Sequence, residues 1–184
     1  MYLEIEKKAK IYSIEQRQEV LNKLKKDFGQ PQFVVREDFY LINSMGQEVR
    51  ISLIDAGNKR CVEQTYKYRK SKNNLEINDE YIICSSNSVK EVLDFWRVLD
   101  FCQNMHKIKK YFHFESDILK ISVVEISWKN QKTIHVLPDF YLEVECVELD
   151  FENANIILNN FFNKMGLQDF EDMKYTDLIK QQEN

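Results

Sequence analysis

The sequence has few glycines, and they lie far apart. Its 184 residues include four of them, Gly29, Gly46, Gly57 and Gly166. A phosphate-binding loop of the P-loop or dinucleotide-binding kind needs several glycines within a few residues, because the backbone N–H groups must approach the phosphates closely. The sequence therefore excludes these loops, and any phosphate group must be bound by side-chain cations.

Paired cysteines and long apolar runs are also missing. The four cysteines form no Cys-x-x-Cys pair, which is unfavourable for a zinc site or a disulfide framework and favours reduced thiols. No apolar run approaches the ~20 residues that span a bilayer. The N-terminus leads straight into charged residues, unlike a secretory signal. We therefore expect a cytoplasmic protein that does not interact with membranes.

The overall composition is that of a soluble globular protein. Hydrophobic residues make up 43% and charged residues 30%, and the formal net charge is −4. This charge argues against non-specific binding of nucleic acid, so no nucleic-acid partner is expected. The length is most simply that of a single domain, residues 1–184, with a substantial core.

Charged residues alternate with mostly apolar ones at the N-terminus. A period of two is the period of a strand, so one strand face carries two carboxylates and two ammoniums, on Glu4, Glu6, Lys8 and Lys10. Glu143 and Glu145 repeat the acidic half of this pattern. Taken alone, such a face is usually solvated, with ion pairs between strands. Two such strands in one fold could instead gather four carboxylates around a divalent cation.

Periodicity along the rest of the chain predicts an α+β protein. Alternation predicts strands at 2–12, 33–41, 47–54, 60–68, 79–84, 106–115, 118–128, 132–137 and 139–149. Helical spacing and capping signals predict helices at 14–28, from about 88 to 99, at 153–165, and a short last helix capped by Thr176. Residues 70–74 are predicted as an exposed polar loop. An antiparallel sheet of about eight strands could close into a barrel, or tunnel, with the helices packed outside.

A closed barrel would turn the charged strand faces into its lumen. Buried unpaired charge is costly, so this lumen must hold water, ions or a charged ligand. Carboxylates suit Mg²⁺ or Mn²⁺, and basic side chains suit polyphosphate oxygens. The candidate cations on strands are Lys8, Lys10, Arg50, Lys67, Lys107 and Lys109, and further carboxylates are Glu80 and Glu125.

Glu4-Ile-Glu6-Lys-Lys8 resembles the Glu-x-Glu-x-Lys signature of the CYTH superfamily, the triphosphate tunnel metalloenzymes. Other motifs of that family have counterparts in the same order: Asp38-Phe-Tyr40, Val49-Arg50-Ile51, Thr65-Tyr-Lys67, Lys107-Ile-Lys109 with Phe112, Tyr141-Leu-Glu143-Val-Glu145, and Lys174-Tyr175-Thr-Asp-Leu178.

The sequence also departs from the family pattern. Ser52 stands where the family has a second arginine, and Asn78 where it often has another. The family's Gly-Leu-Gly turn is replaced by residues 136–139. Glu125 is the loose counterpart of the aspartate that precedes that turn.

The resemblance implies roles for the charged residues. Glu4, Glu6, Glu143 and Glu145 would bind one or two divalent metal ions, Mg²⁺ or Mn²⁺. The triphosphate would be bound by Lys8, Arg50, Lys67, Lys107 and Lys109. Additional candidates are Lys10, Glu80 and Glu125.

The resemblance implies metal-dependent phosphoryl transfer on a small molecule with a triphosphate. The tail motif and the length favour a class IV adenylyl cyclase, which converts ATP to cyclic AMP and pyrophosphate. The alternatives are a triphosphatase acting on tripolyphosphate, thiamine triphosphate or a nucleoside triphosphate, a non-catalytic module that binds polyphosphate or nucleotide, and a structural protein with solvated strands. The oligomeric state stays open, with a homodimer as one option.

Overall fold

The computed structural model describes residues 2–57, 59–72, 75–85, 88–147 and 150–183, and the side chains of 5–57, 59–65, 88–147 and 150–183. Within these ranges the chain forms nine strands and four helices. In chain order they are β1 (Tyr2–Ile11), α1 (Ile14–Phe28), β2 (Gln32–Ile42), β3 (Glu48–Asp55), β4 (Arg60–Lys72), β5 (Leu75–Ser85), α2 (Val89–Val98), β6 (Cys102–Glu115), β7 (Leu119–Asn130), β8 (Thr133–Val136), β9 (Phe140–Cys146), α3 (Phe151–Met165) and α4 (Tyr175–Glu183).

The strands form one antiparallel sheet. Its order is β6-β2-β3-β4-β5-β1-β9-β7-β8, and β6 pairs additionally with β7. The short strand β8 is exposed and lies beside β7. The α+β class and the antiparallel sheet predicted from the sequence are confirmed.

The predicted caps of the first two helices are confirmed. The Ser13 hydroxyl accepts a hydrogen bond from the backbone N–H of Gln16 at 3.1 Å, and α1 ends at Gly29, where φ is 82°. Ser88 and Glu91 form the reciprocal capping box of α2. Each cap satisfies backbone groups that a helix end leaves unbonded, and replacing one by alanine typically costs ~0.5–2 kcal/mol.

The last two helices begin earlier than predicted. Asp150 caps α3, and its carboxylate accepts from the N–H of Asn153 at 3.0 Å. α4 begins at Tyr175, and the Lys174 carbonyl accepts from the N–H groups of residues 177 and 178. Thr176 therefore lies inside the first turn, and its predicted capping role is wrong, because a backbone carbonyl rather than a side chain starts this helix.

The outer face of the sheet holds the main hydrophobic core. Ile5, Ala9 and Ile11 of β1 are fully buried and pack in one cluster with Leu24 of α1 and Phe162 of α3. A second cluster joins α2 to the outer side of β2, β3 and β4. Fully burying one large apolar side chain contributes about 1.5–3 kcal/mol, so these faces supply most of the stability.

One helix departs from the predicted arrangement, in which every helix packs outside the sheet. Tyr175 and Ile179 of α4 pack against Val124 and Ile126 of β7. Val124 and Ile126 pair with Tyr111 and Lys109 of β6 and lie on the same face as these residues. The helix α4 therefore covers the opposite face of the sheet from α1 and α3. It packs there because this stretch of the otherwise charged face is apolar.

Several strand ends also differ from the prediction. β4 continues to Lys72 and β5 begins at Leu75, so the predicted loop at 70–72 is strand, and the rest of it lies outside the described residues. The long pairing of β4 with β5 overrides the polar local sequence. β9 ends at Cys146, and residues 148–149 of its predicted range lie outside the described part. None of the described helices has the length and apolarity that a membrane crossing requires.

Candidate functional site

The two acidic strands lie side by side. In the antiparallel pairing of β1 with β9, Glu6 faces Glu145 and Lys8 faces Glu143. Residues paired across neighbouring strands project to the same side of a sheet. The pairing therefore gathers these four predicted residues on one face, opposite the core face of Ile5 and Ala9.

The predicted basic strands present their cations to the same face. Tyr40 pairs with Arg50, and Asp38 pairs with Lys107. Lys107 Nζ lies 3.0 Å from Asp38 Oδ2 and donates to the Tyr40 hydroxyl at 3.0 Å. Lys109 forms an ion pair with Glu143, which joins the β6 side of the face to the β9 side.

A cavity of about 700 Å³ opens on this face. Among the side chains that line it, five are cationic and three are acidic, so the described lining carries an excess of positive charge. The cations are Lys8, Arg50, Lys107, Lys109 and Lys174, and the carboxylates are Glu6, Glu48 and Glu143. Of these eight residues, the sequence predicted six; Lys174 and Glu48 were not among the site candidates.

Two ion pairs hold the carboxylates of β9. Burial raises the pKa of Glu143, but the ammonium of Lys109 outweighs it and the pKa lies below its usual value. Glu145 accepts a hydrogen bond from Lys120 Nζ at 3.1 Å and does not line the cavity. The negative charge on β9 is therefore balanced by lysines of β6 and β7.

A buried carboxylate organises the β2 side of the face. Asp38 is 1% exposed, and its Oδ1 accepts from Arg36 Nε at 2.9 Å and from the Ser52 hydroxyl at 2.7 Å. Burial opposes ionisation, but Lys107 and then Arg36 hold the pKa of Asp38 well below its usual range. Arg36 Nη2 also donates to Ser52 Oγ at 2.8 Å. A guanidinium from β2 thus stands beside Ser52, the position where the family pattern has an arginine.

The segment after α3 completes the cavity. Residue 171 donates its N–H to the Lys8 carbonyl, and the Lys8 ammonium donates to the Met173 carbonyl at 2.7 Å. Lys174, Tyr175 and Thr176 then line the cavity. The tail motif seen in the sequence therefore contributes directly to the site, which local patterns could not predict.

No protein-family model matches this sequence, and no curated protein matches it. Several solved structures do match its fold. The PH1819 protein of Pyrococcus horikoshii OT3 aligns with a TM-score of 0.78 and 16% identity, over 97% of this chain and 99% of that one. HpAC1 of Hippeastrum, an adenylyl cyclase candidate with a dominant triphosphatase activity, aligns with a TM-score of 0.60 and 13% identity, over 97% and 95%. The RNA triphosphatase domain of the mimivirus mRNA capping enzyme aligns with a TM-score of 0.62 and 13% identity, over 89% of each chain.

This chain shares its fold with these solved structures, as the resemblance to the CYTH superfamily predicts. At these identities the similarity concerns the fold alone, and an activity must be argued from the site.

This charged face carries suitable donors for a divalent ion. Glu6 and Glu143 line the same cavity, and the pairing of β1 with β9 places Glu145 next to them. Carboxylate oxygens are the ligands that Mg²⁺ and Mn²⁺ prefer. Among the described residues, however, no group of three or more potential ligands is close enough to hold an ion. The side chain of Glu4 lies outside the described part, so the four-carboxylate set stays a prediction.

Two additional candidates lie elsewhere on the sheet. Lys10 does not line the cavity. Its ammonium lies 3.1 Å from the Glu171 carboxylate, and the hydrogen bond between them raises the pKa of Lys10. Glu125 pairs with Lys110, 3.8 Å away, on the face opposite Lys109. Glu125 is therefore not brought together with the other site residues, because it is out of phase with the charged face by one position.

Two predicted residues can be placed only by their backbone. Lys67 of β4 pairs with Glu80 of β5, and their side chains lie outside the described part. Thr65, two positions before Lys67, pairs with Arg50 and lines the cavity. The roles of Lys67 and Glu80 as site residues therefore stay predictions.

Proposed function

We propose that this chain is a divalent-metal-dependent phosphoryl-transfer enzyme that binds a triphosphate in the cavity. The observation that carries the proposal is the lining of five cationic and three acidic side chains. A triphosphate has several anionic oxygens within a short length, and Lys and Arg bind such oxygens through strong charge-assisted hydrogen bonds. A cavity with an excess of cations suits this ligand.

We also infer that the cavity belongs to a tunnel enclosed by the sheet. β6 pairs with β2 on one side and with β7 on the other, and β7 pairs with β9. The strands β6, β7 and β9 thus each have a pairing strand on both sides, which supports an enclosed cavity. Enclosure would exclude water from the charged face, and electrostatic interactions strengthen where water is excluded.

The roles follow the positions of the residues. Phosphate oxygens would be bound by Lys8, Arg50, Lys107 and Lys109, with Lys67 from β4 as a further cation. The ion would be held by Glu4, Glu6, Glu143 and Glu145. When bound, Mg²⁺ or Mn²⁺ withdraws charge from a phosphoryl oxygen. The protein's own contribution is positioning and charge stabilisation, which dominate phosphoryl transfer.

Cyclisation of ATP is the first candidate reaction. The ribose 3′ oxygen bonds to the α-phosphorus, the bond from that phosphorus to the oxygen bridging to the β-phosphorus breaks, and pyrophosphate leaves while the hydroxyl proton passes to solvent. The lysines of the cavity would stabilise the charge that develops on pyrophosphate. A volume of about 700 Å³ is within the range for sites of drug-sized ligands. Trp96 and Phe101 in the lining offer apolar surface to a base.

Hydrolysis of a triphosphate is the second candidate. Here the oxygen of a water molecule would bond to the terminal phosphorus while the bond from that phosphorus to its bridging oxygen breaks. The remaining diphosphate leaves, the terminal group is released as orthophosphate, and a proton of the water passes to solvent. The cations of the lining favour it, since they bind the phosphate chain whatever organic group it carries. The activity described for HpAC1 points in the same direction.

A non-catalytic phosphate-binding module is the third candidate. It is favoured by the two ion pairs on β9, in which Lys109 and Lys120 contact the carboxylates that an ion would need. Tight binding of tripolyphosphate without turnover would support it.

Product analysis separates these candidates. The purified protein is incubated with ATP, tripolyphosphate or thiamine triphosphate, each with Mg²⁺, with Mn²⁺ or with a chelator. Glu6→Ala serves as the site variant, and Lys110→Ala, on the outer face, as the matched surface control. Cyclic AMP with pyrophosphate establishes the cyclase, and orthophosphate establishes a triphosphatase. Equal turnover by wild type and Glu6→Ala would contradict the assignment of the site.

A further inference from the structure

Two buried hydroxyl groups line the cavity, on Thr65, which is 2% exposed, and on Tyr175, which is 8% exposed. The Thr65 hydroxyl has no hydrogen-bond partner among the described residues, and the Tyr175 hydroxyl lies beside the Glu143 carboxylate, which is already paired with Lys109. Nearly all buried polar side-chain atoms in native proteins are hydrogen-bonded, because an unsatisfied one costs about 1–3 kcal/mol. The unsatisfied Thr65 hydroxyl, together with a second buried hydroxyl that faces the same charged cavity, therefore points to a ligand that bonds to them.

The surroundings of Tyr175 suit an anionic ligand. The ammoniums of Lys8 and Lys107 lie 4.9 and 5.6 Å from the centre of its ring. A tyrosine hydroxyl can donate a hydrogen bond to an anionic oxygen. The Tyr175 hydroxyl is therefore a donor next to two cations, and a phosphate oxygen bound by Lys8 and Lys107 would lie near it.

The backbone and ring of Tyr175 are held from several sides. The preceding residues are bonded to β1, where Lys10 N–H donates to the Asp169 carbonyl at 2.9 Å and Lys8 Nζ to the Met173 carbonyl at 2.7 Å. Its ring packs edge-on against Tyr141, with the centroids 5.0 Å apart. A donor fixed in this way loses little conformational entropy when it binds a ligand.

Thr65 approaches the cavity from another strand. It pairs with Arg50, which pairs with Tyr40 in turn, so the three residues form a row across β4, β3 and β2. All three line the cavity. The row places the threonine hydroxyl beside the proposed phosphate-binding arginine.

We propose that the Tyr175 hydroxyl donates a hydrogen bond to a phosphate oxygen of the bound triphosphate chain, and that the Thr65 hydroxyl does so from β4. Both are binding residues, and they make the C-terminal segment part of the substrate site. This inference rests on the proposed function, namely that the cavity binds a triphosphate.

Calorimetric binding of tripolyphosphate tests the inference in the full-length protein. Tyr175→Phe removes only the hydroxyl and keeps the ring contacts, and Thr65→Val keeps the shape of the side chain. A hydrogen bond to a charged group contributes enough that each variant should bind about tenfold more weakly. Tyr141→Phe is the matched control, since this neighbouring ring does not line the cavity, and it should change the affinity less than about twofold.

The possible results separate the inference from the proposed function. If wild type does not bind tripolyphosphate, ATP or thiamine triphosphate, the proposed function fails and this inference fails with it. If wild type binds and both hydroxyl-deleted variants bind equally well, only the inference is overturned. Thermal unfolding of each variant accompanies the titration. A loss of affinity in Tyr175→Phe with an unchanged melting temperature supports a contact with the ligand, whereas equal losses in Tyr141→Phe and Tyr175→Phe would indicate a packing effect and overturn it.

Discussion

The two faces of β1 bury neighbouring lysines in different ways. Lys7 and Lys8 are 8% and 6% exposed. Lys7 lies on the core side, where its ammonium donates to Asn159 Oδ1 at 2.7 Å and stands 3.6 Å from the centre of the Phe170 ring. Lys8 lies on the cavity side and donates to the Met173 carbonyl. The two side chains are thus buried to a similar extent but have different neighbours.

The difference teaches that burial of a charge does not by itself mark a functional residue. Lys7 has an amide partner, an aromatic neighbour and the nearby Asp172 carboxylate, and burial outweighs that charge and lowers the pKa of Lys7. Lys8 shares its cavity with four other described cations and with carboxylates. An anion in the cavity could contact several of these cations at once, whereas Lys7 does not line that cavity. Variants on the two faces should therefore separate stability from ligand binding.

The largest expected effect on stability lies on the core face. Phe162→Ala removes a fully buried ring from between α3 and the sheet and should lower the free energy of unfolding by about 3–5 kcal/mol. Urea denaturation measures it. Ile156→Ala, on the exposed side of the same helix, should change stability by less than about 0.5 kcal/mol. Folded Phe162→Ala should retain its affinity for tripolyphosphate. A large loss of affinity would mean that packing on the core face also determines the geometry of the cavity face.

The second largest effect should come from the buried carboxylate on the cavity face. Asp38→Asn leaves Arg36 and Lys107 without their shared counter-ion. Breaking a buried ion pair by neutralising one partner should destabilise the fold by about 3 kcal/mol at pH 7. Asp117→Asn, at an exposed position, is the control and should leave the urea midpoint unchanged.

The loss of stability caused by Asp38→Asn should depend on pH. The folded pKa of Asp38 lies well below that of the unfolded chain, which is about 3.9. Its stabilisation is therefore complete above that pH and is lost as the pH falls toward the folded value. The gap between wild type and Asp38→Asn should shrink between pH 7 and pH 3. A gap of constant size would mean that the carboxylate charge does not contribute.

Local periodicity predicted much of the fold and part of the site. The period of two was sufficient to group Glu6, Lys8 and Glu143, because pairing in an antiparallel sheet preserves which side each residue faces. Ser13 and Ser88 were identified as caps, since capping depends on residues only a few positions apart. The tunnel and the metal ligands stay predictions.

Other features depend on contacts between distant segments. Arg36 of β2 is connected to the site by its contacts with Asp38 on the same strand and Ser52 on β3. The alternation of Arg36 and Asp38 along β2 is the sequence signal that could have identified it. Glu125 lies on the face opposite the cavity, and its neighbours Val124 and Ile126 are apolar although they lie on the cavity side. They are apolar since α4 covers them, and α4 is far away in sequence.

Two adjacent lysines of β6 should separate the faces through ligand affinity. Lys109 lines the cavity and pairs with Glu143, whereas Lys110 lies on the opposite face, half exposed, near Glu125. Lys109→Ala should weaken the binding of tripolyphosphate about tenfold or more, since it removes a charge-assisted contact. Lys110→Ala should change it less than about twofold. Calorimetry at constant ionic strength measures both, and equal losses would indicate a general effect of net charge instead of a site.

The smallest effect is expected for Lys7→Met, which removes the charge and keeps much of the side-chain length. Because the folded pKa of Lys7 is lowered, its protonated form is less favourable in the folded chain, and wild-type stability should rise as the pH approaches the unfolded pKa of about 10.4. Lys7→Met should lack this rise and should differ from wild type by less than about 1 kcal/mol at pH 7, because the lost hydrogen bond to Asn159 offsets the relief of desolvation.

Lys8→Met is the matched partner of that variant. It changes the adjacent residue in the same way but on the cavity side, so it should weaken tripolyphosphate binding while Lys7→Met does not. Urea denaturation at pH 7 and pH 9.5, together with calorimetry, separates the two variants. Lys8 lines the cavity and Lys7 does not, so a direct contact with the ligand is expected for Lys8 alone. Equal losses of affinity in both variants would therefore indicate a general effect of the charge on β1 instead of a contact with the ligand.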